Sequence, residues 1–430
     1  MRRAVSALAL AAVFAPGLAA GSGYSLYEQG AAVMGMAGAG TASVSDPSAM
    51  FYNPAALTRL EGMQVYVGGA MLNPVTSFAG TPAYPGYGVT EEMKRQTFVV
   101  PNVYATHRYQ NHWAVGVALN SPFGLGIEWK DPDTFTGRRI VTKADLKTIN
   151  GALSGAYEVN PKWSLAAGGN ITFAKVLLRN YQVQDPIPGG GSANVAVTEL
   201  SSGYQPGYGW NAALLFSPNA EWRVGAVYRS RVIVDVDGDA TFTQIPYTAG
   251  TPTFNAQFNA AVAAALPPGQ GVNTTLRFPA TWTAGAAWTK DAWTVAADFV
   301  YLEWSVFTDL PLEFASTPAL NQTIVENYDN SFQIRAGAEH RLPKFTYRFG
   351  YYFDQGAAPD ESVTPLLPEA DRHAVSLGLG LPINPRARLD AYDLAIFATR
   401  AKTNGVERNG YDGEYKTFVN AFGLALSWRW

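Results

Sequence analysis

The sequence predicts an all-β transmembrane antiparallel barrel of about fourteen strands with an N-terminal plug in its lumen. Three observations carry this: an unusual composition, strict period-two alternation in long segments, and short connections alternating with long ones. Only 15% of the 430 residues are charged, where soluble domains carry about a quarter, and aromatic residues reach 13%. The mean hydropathy of −0.04 is too low for a bundle of membrane helices. Beyond the N-terminus no apolar run approaches the roughly 18 residues that a spanning helix needs. Few charges, many aromatics and 42 glycines suit strands that face lipid on one side and a lumen on the other. A net charge of −3 offers no basic field, so nucleic acid is not expected as a partner. The absence of Cys excludes disulfides, thiolate metal sites and cysteine nucleophiles.

The elements follow in chain order. Arg2 and Arg3 precede an apolar stretch over 4–14, and Pro16 to Ala20 supply a break and small residues. Residues 1–20 therefore read as a cleaved signal peptide, and the chain as exported to the outer membrane of a Gram-negative cell. Residues 21–60 alternate badly, carry little charge and are rich in Gly, Ala and Ser, which suits a plug. The barrel is expected over 61–430. Its strands are read at 63–71, 98–107, 113–120, 142–158, 163–179, 208–217, 222–236, 276–290, 293–307, 328–340, 345–354, 371–381, 388–399 and 417–430. Short turns follow the even-numbered strands, at 108–112, 160–162, 218–221, 291–292, 341–344 and 382–387. Long connections rich in Gly, Pro or polar residues follow the odd ones. That is the pattern of periplasmic turns and outside loops, with both ends periplasmic.

The last strand is the clearest. Phe418, Phe422, Leu424, Leu426, Trp428 and Trp430 fall on one parity, while Val419, Ala421, Gly423 and Ala425 fall on the other. Phe345, Tyr347, Phe349, Tyr351 and Phe353 repeat the pattern; such a row would be a severe exposed patch in water. On 222–235 the same parity rule sets Arg229 and Arg231 opposite Trp222 and Val224, so both arginines are expected in the lumen. Arg348 is expected there too. Each is a candidate for a substrate carboxylate; the alternative is a lumen salt bridge to residues such as Asp235 or Asp354. In the long 237–277 connection, Phe258, Val262 and Leu266 recur every fourth residue on one helix face. They suit an apolar landing site outside the cell, or simple packing of a loop helix on its neighbours. Pro122, with Gly124 and Gly126 behind it, is a place for a strand ladder to break. The alternative is that the strand ends at Asn120 and Pro122 opens a loop.

Other chemistry is not supported. Gly35, Gly38 and Gly40 follow no strand and open no βαβ unit, so no dinucleotide cofactor is expected. Asp235, Asp237 and Asp239 lack the Gly and Glu of a calcium loop. His107, His112, His340 and His373 have no ligand spacing. Asp371 near His373 lacks a paired Ser, so an enzyme is not expected. No metal or cofactor is expected.

Four segments, in order, resemble the FadL/OmpP1/TodX outer-membrane transporters of hydrophobic compounds. They are residues 35–57, containing Asn53-Pro54-Ala55; residues 113–126, containing Ser121 to Leu125; residues 298–304 (DFVYLEW) with the 347–354 strand; and residues 368–373 leading into 375–380. The terminal Trp430 departs from the usual Phe, a position that concerns assembly. The resemblance implies a 14-stranded barrel closed by an N-terminal hatch that includes Asp46, Phe51, Asn53, Pro54 and Ala55. It implies capture of substrate at outside loops and lateral release through the wall at Pro122, Phe123 and Gly124. It also implies fatty acids, alkanes or aromatics as partners, with lipid, lipopolysaccharide and the barrel assembly machinery around a monomer. A general diffusion porin is the alternative; low charge and a lumen-filling segment oppose it.

Overall fold

The structure is a computed structural model that describes residues 23–110, 112–187, 190–398, 401–403 and 409–430. The expected signal peptide lies outside the described residues. Fourteen antiparallel strands form a closed wall among them: β1 Met63–Gly80, β2 Phe98–Arg108, β3 Trp113–Asn120, β4 Lys143–Asn160, β5 Trp163–Gln184, β6 Gln205–Phe216 and β7 Trp222–Arg229, then β8 Thr281–Lys290, β9 Trp293–Leu302, β10 Ser331–Arg341, β11 Thr346–Asp354, β12 Arg372–Asn384, β13 Ala387–Ala398 and β14 Gly413–Arg429. Each pairs with the next, and β14 closes on β1 along its length, from Gln64 opposite Arg429 to Gly80 opposite Gly413. Closure leaves no free edge, which lipid would penalise.

Parity sets the faces. Phe418, Phe422, Leu424, Leu426 and Trp428 of β14 point outward and are exposed, while Val419, Ala421 and Ala425 are buried inside. Outside the membrane several strands run on. After β7 the chain continues as Val232–Gln244, which pairs with Gln270–Phe278 ahead of β8 and with an added strand, Ala193–Ser202. The 237–277 connection also holds one fourteen-residue helix, α1, Pro252–Ala265, capped by the Thr251 side chain.

Two expectations need correction. The strand read as 222–236 breaks at Ser230 and Arg231, and its partner breaks at Pro279 and Ala280. Arg229 pairs with Thr281 and Val232 with Phe278, so two residues on each side are skipped and the faces exchange. Val227 is inward below the break; Val232 and Val234 are inward above it, and Arg231 is exposed rather than in the lumen. The strand read as 293–307 ends at Leu302 instead, and Trp304–Val306 forms a 3₁₀ turn that buries Trp304 completely.

Residues 23–62 pack against the inward faces of the wall. Their partners lie on strands all round it: Tyr66 of β1, Tyr104 of β2, Ser164 of β5, Asp298 of β9, Arg335 of β10 and Ser376 of β12. Gly350 on β11 and Gly378 on β12 leave no room for a side chain, because a Cβ there would fall 2.4 Å and 2.7 Å from the backbone of Met36 and Gly35.

Candidate functional site

The N-terminal segment is fixed by a few polar contacts. Asn53 is extended, and its Oδ1 accepts from Ala55 N at 3.0 Å, capping a 3₁₀ turn that Pro54 opens with its preset φ. Its Nδ2 donates to Thr41 O at 2.7 Å and to the wall carbonyl of Leu214 at 3.1 Å. One Asn thus holds two turns of the segment together and fastens them to β6. Asp46 Oδ1 accepts from Ser48 N at 2.8 Å, closing a local turn. Asp298 of β9 is buried, and its Oδ2 accepts from Gly40 N, Thr41 N and Thr41 Oγ1 at 2.7–2.9 Å.

The third wall strand breaks where Pro122 suggested, and then resumes. β3 ends at Asn120 opposite Asn150, and Gly124–Glu128 restarts with Gly124 opposite Lys147. The register slips by one residue, as in a bulge. Pairing of β2 with β3 stops at Val103 opposite Leu119. Above that, Phe98 to Asn102 of β2 face no strand on this side, and Pro101 in that stretch has no N–H to offer. Residues 121–124 bond to the N-terminal segment instead: Leu26 N donates to Pro122 O at 2.8 Å, Gly124 N to Tyr24 O at 2.9 Å, and Gln29 Nε2 to Ser121 O at 2.8 Å. Ser25 and Phe123 form an antiparallel bridge.

Tyr24 sits at the centre of a buried aromatic cluster. Its ring lies edge-on to Trp304, Phe307, Phe278 and Phe123, with centroids 4.7, 5.6, 5.8 and 6.4 Å away. Such contacts contribute about 0.5–1.5 kcal/mol each. Gly23 N donates to the buried Glu369 Oε1 at 2.5 Å, and the same carboxylate takes Ala357 N and Ala358 N from the loop between β11 and β12. Burial pushes the Glu369 carboxyl above its ordinary range, against those three donors.

Beneath the cluster is a cavity of about 100 Å³. All three ladder breaks reach it, through Pro122 and Phe123, Ser230, and Pro279. Asn120, Asn150, Asn170 and Asn211 give it a neutral polar side; Met50, Phe51, Val300 and Leu302 give it an apolar one. Above the cluster lies a cavity of about 600 Å³, lined by Arg139, Arg179, Phe242 and Leu366 among others. A small apolar pocket that shares Leu178, Leu200 and Leu312 adjoins it. Val232 lines the lower cavity and Val236 the small pocket, so the buried Val234 and its cross-strand partner Leu276 lie in the layer between.

The structure sorts the candidate arginines. Arg348 is buried between Glu339, at 2.7 Å, and Asp390, at 2.8 Å. It fills the salt-bridge alternative, with other carboxylates than those expected. Asp354 is taken by Arg372 at 2.6 Å, and Asp235 is exposed with Thr275. Arg229 lines the lower cavity, with its guanidinium 4.8 Å from the Phe51 ring. Phe258 and Val262 lie on α1 and Leu266 caps its C-terminal end; all three are half-buried, with Phe258 against Tyr247 and Phe254, and none of them lines the cavities described above. Sequence reasoning missed Tyr24, Glu369 and Arg335, each of which has a partner hundreds of residues away along the chain: Trp304, Gly23 and Gly38.

A closed fourteen-stranded barrel with an enclosed N-terminal segment and an interrupted third strand defines a class of outer-membrane protein. Over residues 12–430 the chain matches the family of outer membrane transport proteins OMPP1/FadL/TodX, and it belongs to that family. It is similar to the long-chain fatty acid transport protein of Escherichia coli O6:H1, 26% identical over 450 residues that cover 98% of both chains. Its fold is that of a Pseudomonas aeruginosa FadL homologue, with a TM-score of 0.81, 20% identity, and 95% and 100% of the two chains covered. The toluene transporter TodX of Pseudomonas putida shares that fold, with a TM-score of 0.75 at 17% identity over 94% and 99%.

Proposed function

We propose that this protein is an outer-membrane channel for passive uptake of hydrophobic compounds, in which residues 21–60 are the hatch and substrate leaves sideways beside β3. The observation that carries this reading is the hydrogen bonding of residues 121–124 to Tyr24 and Leu26 instead of to β2. A wall strand whose neighbour is the hatch loses that neighbour when the hatch moves. The gap so formed opens onto lipid, and an acyl chain crossing it avoids exposing each CH₂ to water, at about 0.8 kcal/mol apiece. Membership of the family and the lower cavity that all three breaks reach support the same reading. The α1 face with Phe258, Val262 and Leu266 is assigned to first capture outside. The barrel works as a monomer surrounded by lipid and lipopolysaccharide after insertion by the assembly machinery.

The test is Gly124→Arg. It sets a bulky charge in the break and leaves the lumen untouched. The expected result is a barrel that assembles, judged by heat-modifiable gel mobility, but has lost uptake of a hydrophobic substrate. Normal uptake by an assembled variant refutes lateral release. A large steady current through wild-type protein in planar bilayers would favour a general porin instead.

A further inference from the structure

The outer face of β4 and β5 changes character near its top. On β4, Ala144, Leu146, Thr148 and Asn150 are buried inside, which turns Lys143, Asp145 and Lys147 outward, above Ile149 and Leu153. On β5, Trp163, Leu165, Ile171 and Phe173 are exposed on the lipid side, and Lys175 and Arg179 continue that face. From Trp163 to Lys175 the strand climbs about 30 Å along the membrane normal, at about 3.3 Å per residue and a tilt of about 40°. The apolar band of such barrels is about 25 Å tall. Lys147 and Lys175 therefore stand where acyl chains give way to headgroups, on the side of the long connections, which is the outside.

Their arrangement is costly on its own. Lys147 lies directly opposite Lys175, and Lys143 directly opposite Arg179. Like charges opposed across a ladder are destabilising. Carboxylates cover them incompletely. Asp145 takes Lys147 at 3.2 Å, Glu128 takes Lys143 at 3.0 Å and also Lys94, and Glu199 takes Arg179. Lys175 makes no ion pair or side-chain hydrogen bond among the described residues. On its other side Lys147 meets Gly124, which offers no side chain. Five cations thus share three carboxylates, in a chain whose net charge is −3. Beneath them the lipid face is hollow. Gly151, two outward positions below Lys147, has nothing within 4 Å of where a Cβ would sit, and Gly169, its diagonal neighbour on β5, has only a carbonyl oxygen at 3.9 Å. Leu119, Leu153 and Ile171 rim the hollow.

We propose that this face of β4 and β5 is a binding site for lipopolysaccharide of the outer leaflet, with a lipid A phosphate shared by Lys147 and Lys175 and an acyl chain over the hollow at Gly151 and Gly169. A phosphate has several acceptor oxygens, so two ammonium groups that repel each other can both donate to it. Their stems lie along the apolar wall and carry the charge up to the headgroup plane. Basic clusters at that depth recognise anionic headgroups. The second like-charged pair, Lys143 and Arg179, lies four residues further up, about 13 Å along the strand. That spacing suits a lipid with a phosphate at each end of a disaccharide better than one with a single phosphate. The inference is independent of the route of transport and rests on the orientation of the barrel.

The test titrates full-length protein in mild detergent with purified diphosphoryl lipid A and, separately, with phosphatidylglycerol, and reads bound lipid by native mass spectrometry. Wild-type protein is expected to bind lipid A about tenfold more tightly than phosphatidylglycerol. Lys147→Gln with Lys175→Gln is expected to weaken lipid A binding about tenfold. Lys290→Gln with Lys344→Gln, which removes the same charge at the turns of the opposite rim, should leave it unchanged. Gly151→Leu fills the hollow, keeps every charge, and should also weaken lipid A binding, so the site is tested even if the lysine variant does not assemble. Equal affinity for the two lipids overturns the site. So does unchanged lipid A binding by the assembled lysine variant or by Gly151→Leu, or an equal loss in the opposite-rim variant.

Discussion

Asp298 lies on the inward face of β9, and its Oδ2 takes all three hydrogen bonds offered by Gly40 and Thr41. Its cross-strand partner is Gly285, where a Cβ would fall 2.0 Å from Asp298 Oδ1. The glycine makes room for the carboxylate, and the carboxylate holds Gly40 and Thr41 of the N-terminal segment. Asp298→Ala strands two buried N–H groups, at about 1–3 kcal/mol each. The expected outcome is a barrel of normal gel mobility whose hatch is loose, seen as current bursts in planar bilayers that the wild type lacks. Gly285→Ala should give the same bursts by pushing the carboxylate aside. Silent traces from both would show that Asp298 does not hold the hatch. The DFVYLEW segment was recognisable in the sequence, but the role of its first residue was not: the residues it binds are 257 and 258 positions away along the chain.

At the scale of elements, the short run from Gly23 to Leu26 is held between Glu369 and the broken end of β3. The raised carboxyl of Glu369 gives this seat a pH dependence with a definite sign. Unseated and hydrated, Glu369 loses its proton near the ordinary value of about 4.3. Seated, it keeps the proton to higher pH, so the seated form binds more protons in that window and loses stability as pH rises through it. The seat is therefore firmest at acid pH, and bilayer current should grow as pH is raised from about 4.3. Glu369→Gln should flatten the profile. A current that falls with rising pH, or a slope kept in the variant, would count against Glu369. Tyr24→Ala, which empties the aromatic cluster, should raise the current at every pH. The break in β3 was visible in Pro122, which has no N–H to give a ladder, and pairing resumes at Gly124. The break in β7 was not visible, because Arg223, Arg229 and Arg231 share one parity and apolar residues occur on both, so the alternation reads as unbroken and nothing in Ser230 or Arg231 marks the skipped pair.

The whole barrel was the most legible part. Lipid demands a large apolar side chain at every second position, and that demand leaves a period of two in the sequence that no packing detail can erase. All fourteen wall strands are present, although those read as 222–236 and 293–307 end at Arg229 and Leu302, and the one read as 276–290 breaks at Pro279 and Ala280. The parts outside the membrane were less legible: the added strand Ala193–Ser202 alternates poorly, and the hairpin of Asp309–Phe314 with Gln322–Val325 is only six and four residues long, too short for its alternation to stand out. The cavities are assembled from residues of many strands and have no local signature at all. The topology predicts a simple labelling result. Cysteine at Arg386, in the turn between β12 and β13, should be shielded from an impermeant thiol reagent on intact cells. Cysteine at Ala263, exposed on α1, should react. Background should be low because the chain has no Cys. The opposite pattern would invert the barrel.

One stretch of three residues, Tyr24 to Leu26, fills the aromatic layer beneath the outer cavity and also stands in for the missing neighbour of β3. The two closures therefore cannot be worked one at a time. On the proposed route, departure of the stretch would join the outer cavity, the lower cavity and the bilayer in a single continuous phase. A machine that concentrates its cargo must keep one door shut while the other is open, and this one has a single leaf for both. On the proposed lateral route it would behave as a valve: flow would run down the gradient of partition into lipid, in whichever direction that gradient points, and accumulation inside the cell would have to come from something that removes the compound afterwards.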